Sequence, residues 1–99
     1  MIELRRVETD DDLEAWRRVR IAVLPNERAA SVEEMRRADT VDVLRLLATL
    51  DGELAGSGIA GRSDLAGAGF VAPRVIPALR RRGVGTALFR ELIGQFVHP

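Results

Sequence analysis

The sequence contains no cysteine, no tyrosine and no lysine. Without cysteine the chain has no disulfide framework, no thiolate nucleophile and no zinc finger, and no metal site is predicted from its other residues. Its 15 basic residues, all of them arginine, are balanced by 15 acidic residues. General nucleic-acid binders and membrane-surface binders depend on an excess of positive charge, so this balance argues against both classes.

Long apolar runs are absent as well. No segment approaches the length that spans a bilayer, and charged residues follow directly after Ile2 in place of the apolar core of a cleavable signal. These absences predict a cytoplasmic protein. The 99 residues, of which 46% are hydrophobic and 30% charged, have the composition of one ordinary globular domain.

Hydrophobic periodicity predicts a strand and two helices in the first part of the chain. The opening residues alternate as a strand, and Thr9, followed by three aspartates, is typical of a helix N-cap. Trp16 lies on the apolar face of this helix and is interpreted as a core residue, with the wall of a substrate cleft as the alternative. Ser31 and Glu34 match a capping box ahead of a short second helix through Ala38.

The middle of the chain predicts a β-hairpin and then a further strand. The hairpin arms are Val43–Leu50 and Leu54–Arg62, joined by the turn Asp51-Gly52-Glu53. The further strand covers Gly69–Val75. Because Pro73 cannot donate a backbone hydrogen bond, this strand is predicted to lie at a sheet edge or to contain a bulge.

Two glycine patterns in this region resemble the dinucleotide fingerprint G-x-G-x-x-G. The first, from Gly56 to Gly61, matches it letter for letter but lies in the return arm of a hairpin, whereas the fingerprint must join a strand to a helix. The second, over residues 67–72, fails because Pro73 and Pro77 prevent a regular helix there. Both segments are predicted to be strands that are thin where another backbone or a ligand comes close.

The most informative stretch joins the strand Gly69–Val75 to a final helix through a basic, glycine-containing turn. The peptide N–H groups of residues 82–86 are predicted to be unpaired donors at the helix start, where the helix dipole also attracts an anion. Gly83 and Gly85 would let a phosphate approach those donors closely. The alternative is a tight strand-to-helix connection with solvated arginines, since a short glycine pattern is weak evidence alone.

The final helix is predicted to pack one apolar stripe on the sheet. The stripe consists of Val84, Ala87, Leu88, Leu92 and Phe96, widened by Phe89 and Ile93. Gly94 is expected to weaken its last turn.

The pattern Arg80-x-x-Gly83-x-Gly85, with Val75-x-Pro77 before it, resembles the cofactor-binding motif of the GCN5-related N-acetyltransferase (GNAT) family. The resemblance implies that the backbone of this turn binds the pyrophosphate of acetyl-coenzyme A (acetyl-CoA), a co-substrate, while the pantetheine arm follows the preceding strand. The implied cofactor-binding residues are Val75, Arg80, Arg81, Arg82, Gly83, Val84, Gly85 and Thr86.

The same resemblance implies the fold. We expect an α/β (α+β) architecture with a mixed, mostly antiparallel sheet flanked by helices, in the order β-α-α-β-β-β-α. It also implies that residues 1–99 form a partial domain lacking the family's C-terminal strands and helix, and that a bulge occurs in the fourth strand. Open edges favour pairing, so this strand is expected to pair with a missing C-terminal half or with a second copy.

Catalytic residues are not assigned from the sequence. The family's general acid is often a late tyrosine, which this chain lacks, and the fourth strand contains no carboxylate. Glu53 and Asp64 are the nearest acidic residues, but both fall in predicted turns. By the resemblance, residues 22–40 would shape the acceptor pocket, although a plain covering layer is equally consistent with them.

Three functions follow as hypotheses. The first is an acetyl-CoA-dependent N-acetyltransferase, or its front part, acting on a small-molecule or peptide amine. The second is a non-catalytic acyl-CoA-binding or assembly module. The third is a nucleic-acid patch, against which the zero net charge counts; its arginines would be Arg74, Arg80, Arg81, Arg82 and Arg90.

Overall fold

The structure, a computed structural model, describes residues 1–39, 42–62 and 69–97. Its elements are β1 (Ile2–Arg6), α1 (Asp10–Val23), α2 (Val32–Ala38), β2 (Val43–Leu50), β3 (Glu53–Arg62), β4 (Gly69–Val75), a 3₁₀ turn (Pro77–Leu79), α3 (Val84–Leu92) and a π-helical turn (Ile93–Val97). The predicted order β-α-α-β-β-β-α is confirmed.

The strands form one antiparallel sheet in the order β1-β2-β3-β4. Asp51 and Gly52 connect β2 to β3 with φ angles of 52° and 86°, the left-handed pair that a tight hairpin turn requires. Within the described ranges β4 is an edge strand, as Pro73 predicted. An edge tolerates proline because the missing N–H need not face a neighbouring strand.

The bulge expected in β4 is wrong. Pro73 pairs with Gly58 in a continuous register, and the irregularity lies instead between β2 and β3, where the pairing shifts at Ala48 and Thr49. Ala55 is the extra residue of β3, which has no partner on β2, and it is fully buried. The extra residue therefore lies in β3, and β4 pairs with β3 in an unbroken register.

Helices cover both faces of the sheet. On one face α1 and α2 enclose an apolar cluster with the sheet, formed by Leu13, Trp16, Met35 and Leu47. On the other face α3 packs against the sheet in a second cluster, whose largest buried members are Leu44, Leu46, Leu88 and Leu92. The result is a three-layer arrangement with the sheet in the middle.

Both predicted N-caps, Thr9 of α1 and Ser31 of α2, are present. The Thr9 hydroxyl accepts from the Asp12 amide at 3.1 Å, and the Asp12 carboxylate accepts from the Glu8 and Thr9 amides at 3.0 and 3.3 Å. This carboxylate also pairs with Arg5 at 2.6 Å. The pKa of Asp12 is lowered, mainly by the Glu8 amide and with help from Arg5, against the opposing effect of burial.

The α3 stripe is confirmed in part. Val84, Leu88 and Leu92 are buried, but Phe89 is 49% exposed, so it does not widen the packed face. Adjacent helical residues point about 100° apart, and the sheet contacts only the side that carries Leu88. The α-helix gives way to the π-helical turn just before Gly94. The structure does not describe the side chain of Phe96, nor does it describe residues 63–68, which include Asp64.

Close packing explains the glycines of the first dinucleotide-like pattern. A Cβ on Gly56 would lie 2.6 Å from the backbone oxygen of Arg74, and one on Gly58 would lie 2.8 Å from Leu92 Cδ1. A Cβ on Gly61 would lie 2.4 Å from the Phe70 ring. The whole pattern lies within β3, as the strand interpretation predicted, and its glycines leave room for α3 and for the neighbouring strand β4.

Candidate functional site

The basic turn joins the end of β4 to the start of α3. Arg80 Nε donates to the Val75 carbonyl oxygen at 3.3 Å, and the Ile76 amide donates to the Ala55 oxygen at 2.8 Å. Val75 Cγ2 lies 3.4 Å from the position that a Cβ on Gly85 would take. The fold therefore brings the strand end and the helix start, which are ten positions apart in the sequence, into direct contact.

The N-terminus of α3 differs from those of the other two helices. α1 and α2 each begin with a complete capping box and carboxylates in the first turn, whereas α3 has neither a side-chain cap nor an acidic residue there. Its first intrahelical hydrogen bond runs from the Ala87 amide to the Gly83 oxygen at 3.0 Å. The amides of residues 84–86 precede that bond and are donors directed out of the helix end.

The backbone before α3 forms a concave donor site. Gly83 has φ 87° and precedes right-handed helical residues, and this left-then-right alternation makes successive N–H groups converge into an anion-binding nest. Arg81 also has a positive φ, 66°, which is uncommon and costly for a residue with a Cβ. The arginines at 80, 81 and 82 are exposed around this concavity.

The two glycines have different reasons for being glycine. Gly83 is required by its left-handed backbone, independently of any ligand. Gly85 has ordinary helical geometry, and a Cβ there would make only an ordinary contact with Val75. The argument that glycine admits a phosphate therefore rests on Gly85 alone.

A second feature lies on the opposite face of the sheet, between α1, α2 and β4. It is an open cleft of about 430 Å³. Its lining residues are Trp16, Arg17, Arg20, Arg28, Ala29, Ala30, Met35, Arg45, Ile59, Phe70, Ala72 and Arg74. Four of them come from the segment 22–40 that was expected to shape an acceptor pocket.

Trp16 is buried in the core, as its first interpretation predicted, and it also borders the cleft. Its side chain is only 6% exposed and belongs to the apolar cluster under α1, while Nε1 donates to the Gly58 oxygen at 3.3 Å. The Arg45 guanidinium carbon lies 4.4 Å from the ring centroid, a cation–π distance. Trp16 is therefore a core residue whose ring also forms part of the cleft wall.

In the part of the chain that the structure describes, neither feature contains an evident general base. None of the described residues that line the cleft is acidic, and Glu53 is exposed at the start of β3. Within residues 1–39, 42–62 and 69–97 no three His, Cys, Asp or Glu side chains cluster as metal ligands. In the same ranges no helix is long and apolar enough to cross a bilayer.

The arginines considered as a nucleic-acid patch do not form one surface. Arg74 lines the cleft on the α1 side, whereas Arg90 is exposed on α3, across the sheet. The sequence reasoning missed the arginines that do converge with Arg74. Arg17 and Arg20 are three residues apart on α1, which is a weak helical signal, but only the fold brings α1, β2 and β4 together.

Comparison with known proteins identifies the fold. No family model and no curated protein sequence matches the chain. The ribosomal-protein-S18-alanine N-acetyltransferase from Escherichia coli matches with a TM-score of 0.73 at 22% identity, covering 97% of this chain and 59% of that one. Aminoglycoside N-acetyltransferase AAC(6')-Iy, in complex with CoA, matches with a TM-score of 0.74 at 20% identity, covering 98% and 70%.

A third match is aminoglycoside 6'-N-acetyltransferase AAC(6')-Ih from Acinetobacter baumannii, with a TM-score of 0.74 at 22% identity, covering 98% of this chain and 74% of that one. These proteins are GCN5-related N-acetyltransferases. The chain has the GNAT fold. It spans less than two thirds of the length of the first of the three.

Proposed function

We propose that this chain is an acetyl-CoA-dependent N-acetyltransferase, or the front part of one, that transfers an acetyl group to an amine. We also propose that it acts in the cytoplasm. The observation that carries the proposal is the uncapped N-terminus of α3, which follows a left-handed Gly83 and three exposed arginines. Such an end binds phosphate groups. One neighbour in fold, AAC(6')-Iy, was crystallised both with CoA and with a CoA-containing bisubstrate analogue.

In this proposal each part of the turn has a role. The amides of residues 82–86 donate to pyrophosphate oxygens, while Arg80, Arg81 and Arg82 contribute positive charge. Val75 ends the edge strand along which the pantetheine arm lies. The amine nitrogen attacks the thioester carbonyl and a C–N bond forms. The C–S bond breaks and CoA leaves as a thiolate, which takes up a proton from water, while the proton of the nitrogen passes to a base or to water.

A non-catalytic acyl-CoA-binding module is the second candidate. It is favoured by the absence of a carboxylate among the described residues of the cleft lining and by the absence of tyrosine from the sequence. Release of the CoA thiol from acetyl-CoA in the presence of amines separates the two candidates. A chain that binds acetyl-CoA but releases no thiol above the rate of hydrolysis would be the binding module.

The cofactor turn is tested by calorimetric titration of acetyl-CoA into the wild-type chain and into Gly85→Glu and Gly85→Gln. Substitution of Gly83 would be ambiguous, because any side chain there strains the backbone. At position 85 the backbone is helical and the space is adequate. A glutamate in the first turn also suits the helix dipole, so the free protein should remain folded.

Gly85→Gln measures the steric effect, and Gly85→Glu adds one negative charge to the same shape. At about 5 Å, repulsion between a carboxylate and a phosphate charge amounts to roughly 1–3 kcal/mol at an effective dielectric constant of about 20–80. We therefore expect saturable binding by the wild type and about tenfold weaker binding, or worse, by Gly85→Glu than by Gly85→Gln. No binding by a folded wild-type chain, or equal binding by both variants, would overturn the assignment.

We also propose that the open edge of β4 pairs with a further strand. Such an edge exposes backbone donors and acceptors that readily recruit another strand. A remaining part of a longer protein or a second copy of this chain could supply that strand.

A further inference from the structure

The cleft between α1, α2 and β4 is strongly basic for an amine-binding site. Five arginines line it: Arg17, Arg20, Arg28, Arg45 and Arg74. They come from α1, the segment between α1 and α2, β2 and β4, so the cluster exists only in the folded chain. Among the described residues no acidic side chain lines the cleft with them.

Four of these arginines have carboxylate partners that lie outside the lining. The pairs are Arg17 with Glu14 at 3.5 Å, Arg20 with Glu27 at 3.1 Å, Arg28 with Glu34 at 2.5 Å and Arg45 with Asp39 at 2.8 Å. These carboxylates offset part of the charge, and none of the four is among the residues that line the cleft.

Arg74 has no such partner. It is half-buried on β4 and forms no salt bridge or hydrogen bond with any residue in the described part of the chain. Burial lowers the pKa of its guanidinium, and the positive charges of Arg20 and Arg45 lower it further, against a smaller opposing effect of Glu27. A partly desolvated cation among other cations is stabilised by an anion that enters from solvent.

Two more donors in the cleft arginines are unsatisfied. Arg17 Nε and Arg20 Nη1 are both buried, and neither has a hydrogen-bond acceptor among the described residues. Buried donors without acceptors are uncommon in folded proteins, and each invites an explanation such as a ligand or an ordered water. One oxyanion with several lone pairs can satisfy guanidinium donors from more than one arginine.

We propose that this cleft binds the acceptor of the acetyl-transfer reaction, and that the acceptor is a small amine carrying a carboxylate or phosphate group, which Arg74 and Arg20 bind. The proposal rests on the proposed acetyltransferase function. The volume of about 430 Å³ suits a small molecule or the end of a peptide. Polycationic amines such as polyamines and aminoglycosides are disfavoured, because five arginines and no acidic residue of the described ranges line the cleft.

Trp16 provides a direct measurement of occupancy. It is the chain's only tryptophan and it lines the cleft, so its fluorescence can be followed during titration at constant ionic strength. The probes are matched in size and differ in charge. They are β-alanine against β-alanine amide, O-phosphoethanolamine against ethanolamine, and spermidine as the polycation.

The variant Arg74→Gln removes the unpaired charge, and Arg74→Lys retains a charge without the planar donor fork. Arg18→Gln is the matched control, because Arg18 is exposed on α1 and outside the cleft lining. We expect the acidic member of at least one pair to bind tenfold or more tightly than its uncharged counterpart. That preference should fall about tenfold in Arg74→Gln, recover partly in Arg74→Lys and persist in Arg18→Gln.

The two acidic probes distinguish a carboxylate from a phosphate as the recognised group. Equal or tighter binding of spermidine or of the uncharged probes would overturn the proposal, as would equal losses in Arg74→Gln and Arg18→Gln when circular dichroism shows both folded. The outcome is separable from the cofactor titration. Acetyl-CoA binding without selective probe binding rejects this proposal alone, whereas selective probe binding without acetyl-CoA binding rejects the acetyltransferase function.

Discussion

Replacing Gly56 by alanine tests whether the glycine pattern in β3 serves packing. The new Cβ would lie 2.6 Å from the Arg74 backbone oxygen, 3.1 Å from Leu88 Cδ1 and 3.2 Å from Val84 Cγ1. A relaxed carbon-to-oxygen contact needs about 3.3 Å or more, so β4 must move by roughly 0.7 Å. The clashing atom belongs to a paired backbone and cannot rotate away.

The expected cost follows from this geometry. Overpacking a core typically destabilises a protein by about 1–3 kcal/mol, and a backbone clash places Gly56→Ala at about 2–3 kcal/mol. At about 4–8 °C for each kcal/mol in a domain of this size, the melting temperature should fall by roughly 8–24 °C. Gly58→Ala should cost less, about 1 kcal/mol, because its main obstacle is the movable end of the Leu92 side chain at 2.8 Å.

Gly94→Ala is the matched control, since it makes the same chemical change where no atom lies within 4 Å. Alanine is the better helix former, so this variant should be neutral or more stable by up to about 1 kcal/mol. Urea unfolding followed by circular dichroism gives the three free energies of unfolding, with an unchanged m-value as the sign that one two-state transition is compared. If Gly56→Ala were as stable as Gly94→Ala, the packing explanation would be wrong. A nucleotide-binding role would instead predict lost nucleotide affinity at unchanged stability.

Two further predictions concern the α1 cap and the sheet edge. Asp12→Asn removes the charge that accepts from the Glu8 and Thr9 amides and pairs with Arg5, and should cost about 1 kcal/mol at pH 7. Folding lowers the pKa of Asp12. Its carboxylate therefore stabilises the fold fully at a pH above its pKa in the unfolded chain, about 3.9, and this stabilisation is lost as the pH falls through the lower pKa of the folded state. In urea unfolding, the difference in the free energy of unfolding between Asp12→Asn and the wild type should therefore become smaller below about pH 4. A difference that stays constant with pH would contradict this account. Pairing of β4 with a second copy predicts a sedimentation coefficient that rises with protein concentration, whereas a monomer at every concentration would exclude self-pairing.

Local sequence determined the elements and their ends. The capping residues Thr9 and Ser31 and the turn at Asp51 and Gly52 act on neighbours a few positions away, so their geometry can be predicted without the rest of the chain. The same holds for Pro73, whose missing N–H marks an edge strand wherever that strand lies. The order of elements, and with it the GNAT-like sheet, followed from these signals and from hydrophobic periodicity.

Tertiary structure decided the features that depend on distant contacts. The bulge lies in β3 instead of β4. Phe89 is exposed beside the buried Leu88, because only one side of α3 packs on the sheet. The left-handed φ of Gly83 follows from the path between β4 and α3. The arginine cleft was not predictable, since Arg20 and Arg74 are distant in sequence and meet only after α1 packs across the strands, which no local pattern encodes.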